Sequence, residues 1–155
     1  MAKLSQSVLV GASLAPVWDH YFEVTGWPAW VDGFQAVESA DGYPEEGGTL
    51  VWRSTPAGRG TVTETVLAHE PRRLHRIAFS DPESSGELTS RFEVEGEGTR
   101  VALELDYRLA RSGAIAAITD RLFVRGQVVR SLQRTLTRFR LEAEEIAALG
   151  EGSDR

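Results

Sequence analysis

The spacing of hydrophobic and polar residues predicts one strand and two short helices at the start of the chain. Apolar residues alternate with polar or small ones over 3–11, which indicates a half-buried strand. Apolar positions then recur every three or four residues from Leu14 to Phe22, as in an amphipathic helix, and Ser13 is its expected N-cap. A second helix of one to two turns is expected over 26–31.

Turn-forming residues divide the chain between Phe34 and Leu109 into further strands. The dividing sequences are rich in Gly, Pro and Asp, which favour turns. The predicted strands are 34–40, 48–55, 60–70, 73–80, 86–95 and 99–109. Because the connections are short, each strand is expected to run antiparallel to its neighbour in a meander.

The last two predicted strands have one apolar and one charged face, so a layer of apolar side chains must cover the sheet on one side. A helical rhythm from Ser112 to Leu149 supplies that cover. A helix of roughly 35 residues is about 50 Å long and would cross a curved sheet. We therefore expect a single domain over 1–149 followed by a polar tail over 150–155.

Composition excludes several classes of function. The chain has 155 residues, a net charge of −6 and no cysteine. The acidic balance argues against nucleic acid as a partner. The absence of cysteine excludes disulfides, thiolate nucleophiles and thiolate metal sites. Without a signal peptide or a transmembrane stretch in the sequence, the expected location is the cytoplasm.

Three stretches resemble the START-like, or Bet v 1-like (SRPBCC), superfamily, which includes polyketide cyclases and lipid-transport proteins. They are VLVGASLAPVW over 8–18, GWPAW over 26–30 and SLQRTLTRF over 131–139. The resemblance implies an α+β helix-grip fold, a seven-stranded curved antiparallel sheet wrapped around a long C-terminal helix. It also implies a deep apolar cavity that holds a lipid, an isoprenoid, a polyketide or an aromatic molecule.

Packing considerations independently favour a cavity. One helix cannot fill the space inside a sheet bent around it, so large side chains or a ligand must occupy the remainder. The expected ligand-binding residues are Trp30, Trp52, Ser54, Phe79, Ser90, Phe92, Leu105, Leu122 and Val129.

Arg125 is a candidate catalytic residue because of its position on the predicted long helix. At 100° per residue it lies within about 20° of Leu136, on the apolar stripe. A buried guanidinium needs a partner, which suggests an anchor for a ligand carboxylate or enolate. The alternative is that Arg125 reaches solvent or pairs with an acid structurally, and Gly126 could also kink the helix and turn Arg125 away.

Three other residues are candidates for acid–base or hydrogen-bonding roles. His75 alternates with apolar residues and could act as a general acid or base, or as a structural histidine. Tyr107 could donate a hydrogen bond to a ligand carbonyl, or serve as an aromatic core residue. Glu64 could be a base or a partner for Arg125, although a bulge would turn it outward. The histidine spacing indicates no metal site, and no cofactor is expected.

Two groups on the predicted helices have competing interpretations. The tryptophans Trp18 and Trp30, with their neighbour Trp27, either gate a ligand entrance or plug the core. The arginines at 130, 134 and 138 form a stripe with a spacing of four, expected to be a solvated helix face.

The leading hypothesis is a protein that binds a small hydrophobic or aromatic, polyketide-like molecule with a polar end. The first alternative is a polyketide cyclase or aromatase in which Arg125, Tyr107, His75 and Glu64 act on a folded polyketide. The second is a module that binds a protein partner. Fold alone does not choose among them, and an oligomer is possible through an exposed strand edge.

Overall fold

A computed structural model describes residues 2–56, 58–110 and 123–152. Its elements follow the predicted order of strand, two helices, six strands and a long helix. They are β1 (Ala2–Val10), α1 (Leu14–Phe22), a 3-10 turn (Val24–Gly26), α2 (Trp27–Trp30), β2 (Phe34–Asp41), β3 (Thr49–Ser54), β4 (Thr61–Glu70), β5 (Leu74–Ser80), β6 (Ser84–Glu95), β7 (Gly98–Leu109) and α3 (Arg125–Gly152). The predicted α+β helix-grip fold is confirmed.

The seven strands form one antiparallel sheet in the order β1-β7-β6-β5-β4-β3-β2. Strands β2 to β7 form the predicted meander, and β1 extends it by pairing with β7, with Val8 opposite Val101. Alternation places the apolar side chains of each strand on the concave face, where α3 lies against β1 and the two short helices. The sheet therefore has two edges, β1 and β2.

The long helix differs from its prediction at the C-terminal end. It continues past Leu149 to Gly152, so the first residues of the expected polar tail are helical. The expected start at Ser112, together with Leu122, lies outside the described residues.

The section of α3 from Leu136 to Ala143 is packed into the core. Leu136, Phe139 and Ala143 are buried there. The Phe139 ring lies 4.8 Å from the Trp30 ring and 5.3 Å from the His20 ring, measured between centroids. Aromatic side chains from both short helices thus fill the space between α3 and this end of the sheet.

Polar contacts fix α3 to the connections around the short helices. Asp32 follows α2, and its carboxylate accepts hydrogen bonds from Ser131 at 2.7 Å and Arg134 at 2.9 Å, with Arg138 at 3.3 Å. The sequence predicted only a solvated helix face for the arginine stripe. Instead, Arg134 and Arg138 contact Asp32. Ser13 does occupy the N-cap of α1, but its side chain makes no capping hydrogen bond.

The convex face of the sheet carries cross-strand ion pairs, which explains its alternating charges. Arg76 of β5 pairs with Glu87 of β6, and Arg91 of β6 pairs with Glu104 of β7. These exposed pairs keep the outer face polar. Among the described helices, none combines the length and the apolar character required to cross a lipid bilayer.

Candidate functional site

A cavity of about 330 Å³ lies between the concave face of the sheet and the N-terminal part of α3. Small-molecule sites in proteins typically enclose roughly 300–1,000 Å³. The sheet contributes the apolar residues Trp52, Val62, Ile77, Phe79, Leu88, Leu103, Leu105 and Leu109. The helical wall comprises Val124, Gln127, Val128, Ser131, Leu132 and Thr135. The predicted space between sheet and helix is thus present and mostly apolar.

Aromatic side chains of α1 and α2 close one end of the cavity. Tyr21, Trp27 and Trp30 are buried and line it. The indole nitrogen of Trp27 donates a 2.8 Å hydrogen bond to the carbonyl of Tyr21, which joins the two helices. Trp18 does not line the cavity and packs edge-on against Phe92 at 4.8 Å. Trp18 is therefore a core residue, whereas the other two tryptophans are both core and wall.

Glu64 places a buried carboxyl group in the sheet wall. It is only 6% exposed, and its Oε2 accepts a 2.6 Å hydrogen bond from the indole nitrogen of Trp52 on the neighbouring strand. Burial raises the pKa of Glu64 to about 7, although the Trp52 hydrogen bond and the Arg59 charge both oppose this rise. The group can therefore hold or release a proton near neutral pH.

Arg59 supplies the cation of the site and lies on the β3–β4 connection, in which the Thr55 amide donates a 2.9 Å hydrogen bond to the carbonyl of Gly33, just after α2. Its guanidinium carbon lies 5.0 Å from the Phe79 ring centroid and 5.8 Å from that of Trp52, within cation–π range. Its Nε donates a 2.8 Å hydrogen bond to Asp81. The Arg59 side chain is 45% exposed, so it stands where the cavity meets solvent.

Asp81 joins Arg59 to the β5–β6 turn, and the two residues together form the charged mouth of the cavity. Its side chain is 1% exposed and accepts hydrogen bonds from the amide and hydroxyl of Ser84 at 2.8 and 2.9 Å. Burial would raise the pKa of Asp81, but the Arg59 charge and these hydrogen bonds hold it below its usual value. The carboxylate therefore stays ionised and orients the arginine.

His75 lies in the wall nearer the short helices. Its Nδ1 is 3.0 Å from Nδ1 of His69, the residue opposite it on β4. Burial, with a smaller contribution from His69, lowers the pKa of His75 to about 3, so the ring is neutral at physiological pH. Its Nε2 is buried and, within the described part of the chain, has no hydrogen-bond partner.

Tyrosine hydroxyls add polar groups to the same region. The Tyr21 hydroxyl lies 2.6 Å from the hydroxyl of Ser90, and burial is the main cause that raises the pKa of Tyr21 to about 12. Tyr43 packs edge-on against His75 at 5.6 Å, and burial together with the Glu64 charge raises its pKa well above the usual value. Both phenols therefore stay protonated and can donate hydrogen bonds.

Tyr107 is buried on β7 and lines the cavity, as its alternation predicted. Its partner across the strand pair is Gly86, where an added Cβ would lie 2.8 Å from the Tyr107 Cα. Because real Cβ atoms do not approach so closely, only glycine permits β6 and β7 to pack in this way.

The predicted ligand-binding residues divide into two groups. Those that line the cavity are Trp30, Trp52, Phe79, Ser90 and Leu105. Phe92 packs with Trp18 at the closed end, Val129 packs against the core, and Ser54 bonds the amide of Gly60 in the β3–β4 connection. None of these three lines the cavity. Leu122 lies outside the described residues.

The inward orientation predicted for Arg125 is wrong. The residue is exposed, and its Nη2 donates a 3.3 Å hydrogen bond to the carbonyl of Lys3 on β1. Arg125 does lie on the helical stripe that includes Leu136. However, it is the first residue of α3, where the long side chain can pass beside the edge strand and reach solvent.

Sequence reasoning missed the arginine that does line the cavity. Arg59 stands between Gly58 and Gly60 in a turn, outside the predicted strands whose alternation assigned the inner face. One signal in the sequence could have indicated its position: Arg59 follows the strand on which Trp52 faces inward. Tyr43, which follows another turn, was missed for the same reason: alternation does not assign faces to turn residues.

Comparison with known proteins identifies the family and the fold. Residues 1–144 match the family described as polyketide cyclase / dehydrase and lipid transport. No curated protein matches the chain significantly.

Solved structures with the same fold have low sequence identity to this chain. Zhui aromatase/cyclase from Streptomyces sp. R1128 is 20% identical, with 92% of this chain and 93% of that chain covered and a TM-score of 0.69. The di-domain ARO/CYC StfQ of the steffimycin biosynthetic pathway is 12% identical, with 94% and 51% covered and a TM-score of 0.76. A norcoclaurine synthase from Thalictrum flavum is 15% identical, with 91% and 94% covered and a TM-score of 0.63.

These structural similarities establish the fold, and the family match extends over nearly the whole sequence. The chain belongs to the polyketide cyclase / dehydrase and lipid transport family.

Proposed function

We propose that this protein binds a small hydrophobic molecule, aromatic or polyketide-like and bearing at least one oxygen, in the cavity between the sheet and α3. The observation that carries the proposal is the composition of the wall. It is mostly apolar, yet the indole nitrogen of Trp30 and Nε2 of His75 are buried in wall residues without a hydrogen-bond partner in the described structure. Buried polar atoms are rarely left unpaired, so these two suit a ligand that supplies the missing partners.

The charged mouth favours a ligand whose polar end is anionic or strongly polarised. Arg59 is held by Asp81 through Nε alone, and it lies over two aromatic rings at the edge of the cavity. A guanidinium presents several donors in one plane and binds a carboxylate or an enolate well. Arg59 thus takes the anchoring role that the sequence had suggested for Arg125.

A second candidate function is cyclisation or aromatisation of a polyketide, and Glu64 is the observation that favours it. A carboxyl group with a pKa of about 7 inside an apolar cavity can take a proton from a carbon acid and return it to a leaving hydroxyl. In this proposal Glu64 and His75 are the acid–base groups, Tyr107 donates a hydrogen bond and Arg59 stabilises the oxyanion. The names of the two aromatase/cyclase structures support the same chemistry.

A protein-partner module is the least supported of the three hypotheses. Such a module needs no internal cavity, whereas this structure has one of about 330 Å³ with polar atoms in its wall. The cavity therefore favours a small molecule as the partner.

Tryptophan fluorescence tests the binding proposal, because Trp27, Trp30 and Trp52 all line the cavity. Titration with a panel of polycyclic aromatics and fatty acids should give a saturable change with at least one compound. Arg59→Gln should weaken binding of carboxylate-bearing compounds by about tenfold and leave neutral ones nearly unchanged. The exposed Arg125→Gln is the matched control and should alter neither. If no compound in the panel gives a saturable response, the proposal is contradicted.

A further inference from the structure

His69 and His75 form a partly buried imidazole pair that the cavity alone does not explain. They face each other across β4 and β5, with their Nδ1 atoms 3.0 Å apart. His75 is buried and lines the cavity, whereas His69 is only half-buried and does not line it. The pair therefore extends from the cavity wall toward the outside of the molecule.

The distance between the two Nδ1 atoms constrains the positions of the protons. Two neutral imidazoles can form this hydrogen bond only if one Nδ1 carries a hydrogen and the other accepts it. Each ring then has its Nε2 available on the far side. For His75 this nitrogen is the buried atom that lacks a partner in the described structure.

The surroundings keep both rings ordered and uncharged. Phe22 contacts both rings edge-on, at 5.0 Å for His69 and 4.7 Å for His75, and Trp18 lies 5.2 Å from His69. Burial lowers the pKa of each histidine; the Glu45 carboxylate partly opposes this for His69. Neutral imidazoles fixed in this way can exchange tautomers without a large movement.

We propose that His75 and His69 form a proton path between the cavity and solvent, serving a ligand that carries an enol or phenol hydroxyl. This inference rests on the proposed function of the cavity. It adds the chemical class of the ligand and a role for His69, which does not touch the ligand itself.

The proton transfer proceeds in balanced steps. The ligand hydroxyl gives its proton to Nε2 of His75, the Nδ1 hydrogen of His75 passes to Nδ1 of His69, and Nε2 of His69 releases its hydrogen to water. The ligand becomes an enolate or phenolate, and both rings end in the opposite tautomer. The reverse sequence returns a proton to the ligand and restores both rings. The path is therefore matched to chemistry that removes one proton and later returns one.

Nitrogen NMR of histidine-labelled protein tests the pair directly, because the chain has only three histidines. In the free protein the two rings should be opposite neutral tautomers with a scalar coupling between their Nδ1 atoms. His20→Phe, His69→Phe and His75→Phe assign the signals. If both rings carry their hydrogen on Nε2, the path is overturned.

Two probe compounds then separate the path from the binding proposal. 2-Naphthol should shift the nitrogen signals of both His75 and His69, whereas naphthalene, which has no hydroxyl, should bind without shifting either set. Binding of 2-naphthol with His69 unchanged contradicts the path alone. Failure of both compounds to bind contradicts the cavity proposal, and the path falls with it.

A variant distinguishes proton transfer from a merely structural role of His69. His69→Phe keeps a ring between Trp18 and Phe22, so 2-naphthol should still bind with a dissociation constant within about threefold of wild type. Water exchange of the hydrogen shared by the ligand and His75 should slow by about tenfold or more. The control His20→Phe, at a ring outside the cavity wall, should change neither quantity. An unchanged exchange rate in His69→Phe overturns the proposal.

Discussion

Two sections of α3 meet the same fold with opposite results: residues 136–143, called the solid end, and residues 125–135, called the hollow end. Toward the C-terminus, Leu136, Phe139 and Ala143 are buried in a solid core. Toward the N-terminus, Val128 and Leu132 are only half-buried and border a cavity of about 330 Å³. The helix has apolar residues in both halves, so its own sequence does not cause the difference.

The difference arises from what lies between the helix and the sheet. At the solid end, Tyr21 and Trp30 from the short helices pack around the Phe139 ring, at 5.7 and 4.8 Å. Tyr21 and Trp30 also line the cavity, where the rest of the wall includes Glu64 of β4 and Arg59 of the β3–β4 connection as well as apolar residues. The comparison shows that the aromatic residues of two short helices determine where the fold is filled and where it stays open.

The largest expected effect comes from removing an aromatic side chain from the solid end. Phe139→Ala should lower the free energy of unfolding by about 3–5 kcal/mol, because it opens a void among packed rings. Leu132→Ala at the hollow end should cost roughly 1–2 kcal/mol, because that side chain already borders empty space. Chemical denaturation of both variants measures the contrast. Equal losses would show that the two ends are packed alike.

Glu64 should make the hollow end sensitive to pH. Its pKa is about 7 in the fold, above the ordinary value of 4.5, so the folded state binds more protons than the unfolded state between these limits. Stability contributed by the protonated carboxyl is therefore present below about pH 4.5 and is lost as the pH rises to about 7. Glu64→Gln, which keeps an oxygen for Trp52, should be more stable than wild type by about 3 kcal/mol at pH 8.

The difference in the free energy of unfolding between Glu64→Gln and wild type should shrink to a few tenths of a kcal/mol near pH 4.5. This difference in the free energy of unfolding excludes the contribution of His75, because both proteins contain that residue. That residue has a lowered pKa and acts in the opposite direction, losing stability as the pH falls from 6.5 toward 3. A pH-independent difference between the two proteins would show that Glu64 is not a buried titrating group.

Filling the hollow end should remove ligand binding with little change in stability. Leu105 lines the cavity from β7 and is half-buried, so Leu105→Trp places extra volume in existing space. We expect the affinity for any compound that binds wild type to fall by about tenfold or more, since the larger ring competes for the same space. Fluorescence titration measures the affinity, and a denaturation curve measures the stability. Retained affinity would locate the ligand elsewhere.

The smallest expected effect concerns the polar contacts that hold the hollow end of α3. Arg134→Gln removes the stronger of the arginine contacts to Asp32 and leaves Ser131 in place. Because the Arg134 side chain is half-exposed, the loss of unfolding free energy should be smaller than for either alanine variant above and should decrease in high salt. Amide hydrogen exchange in α3, measured at low and at high salt, tests this prediction. A larger, salt-independent loss would contradict it.

Much of the fold was predictable because alternation and turn chemistry are local properties of a sequence. The same alternation correctly placed Glu64, His75 and Tyr107 on the concave face. It also identified Trp52 and Phe79, the two rings on which Arg59 lies. Residues inside regular strands were thus the easiest to assign.

The remaining features depend on contacts that no local pattern records. Helical phase placed Arg125 on the apolar stripe, but it did not reveal that the stripe runs past the sheet edge at that point. The pairing of His69 with His75 depends on the register of β4 and β5. Arg59 and Tyr43 lie beside turns, where neither the helical nor the strand spacing of apolar residues applies.

Native mass spectrometry of freshly purified protein, compared with its denatured mass, tests most directly whether the hollow end is a ligand site. Wild type should carry a small molecule, or acquire one from the panel of aromatics and fatty acids, and Leu105→Trp prepared in the same way should not. A wild-type protein that carries no molecule and acquires none from the panel would contradict the account.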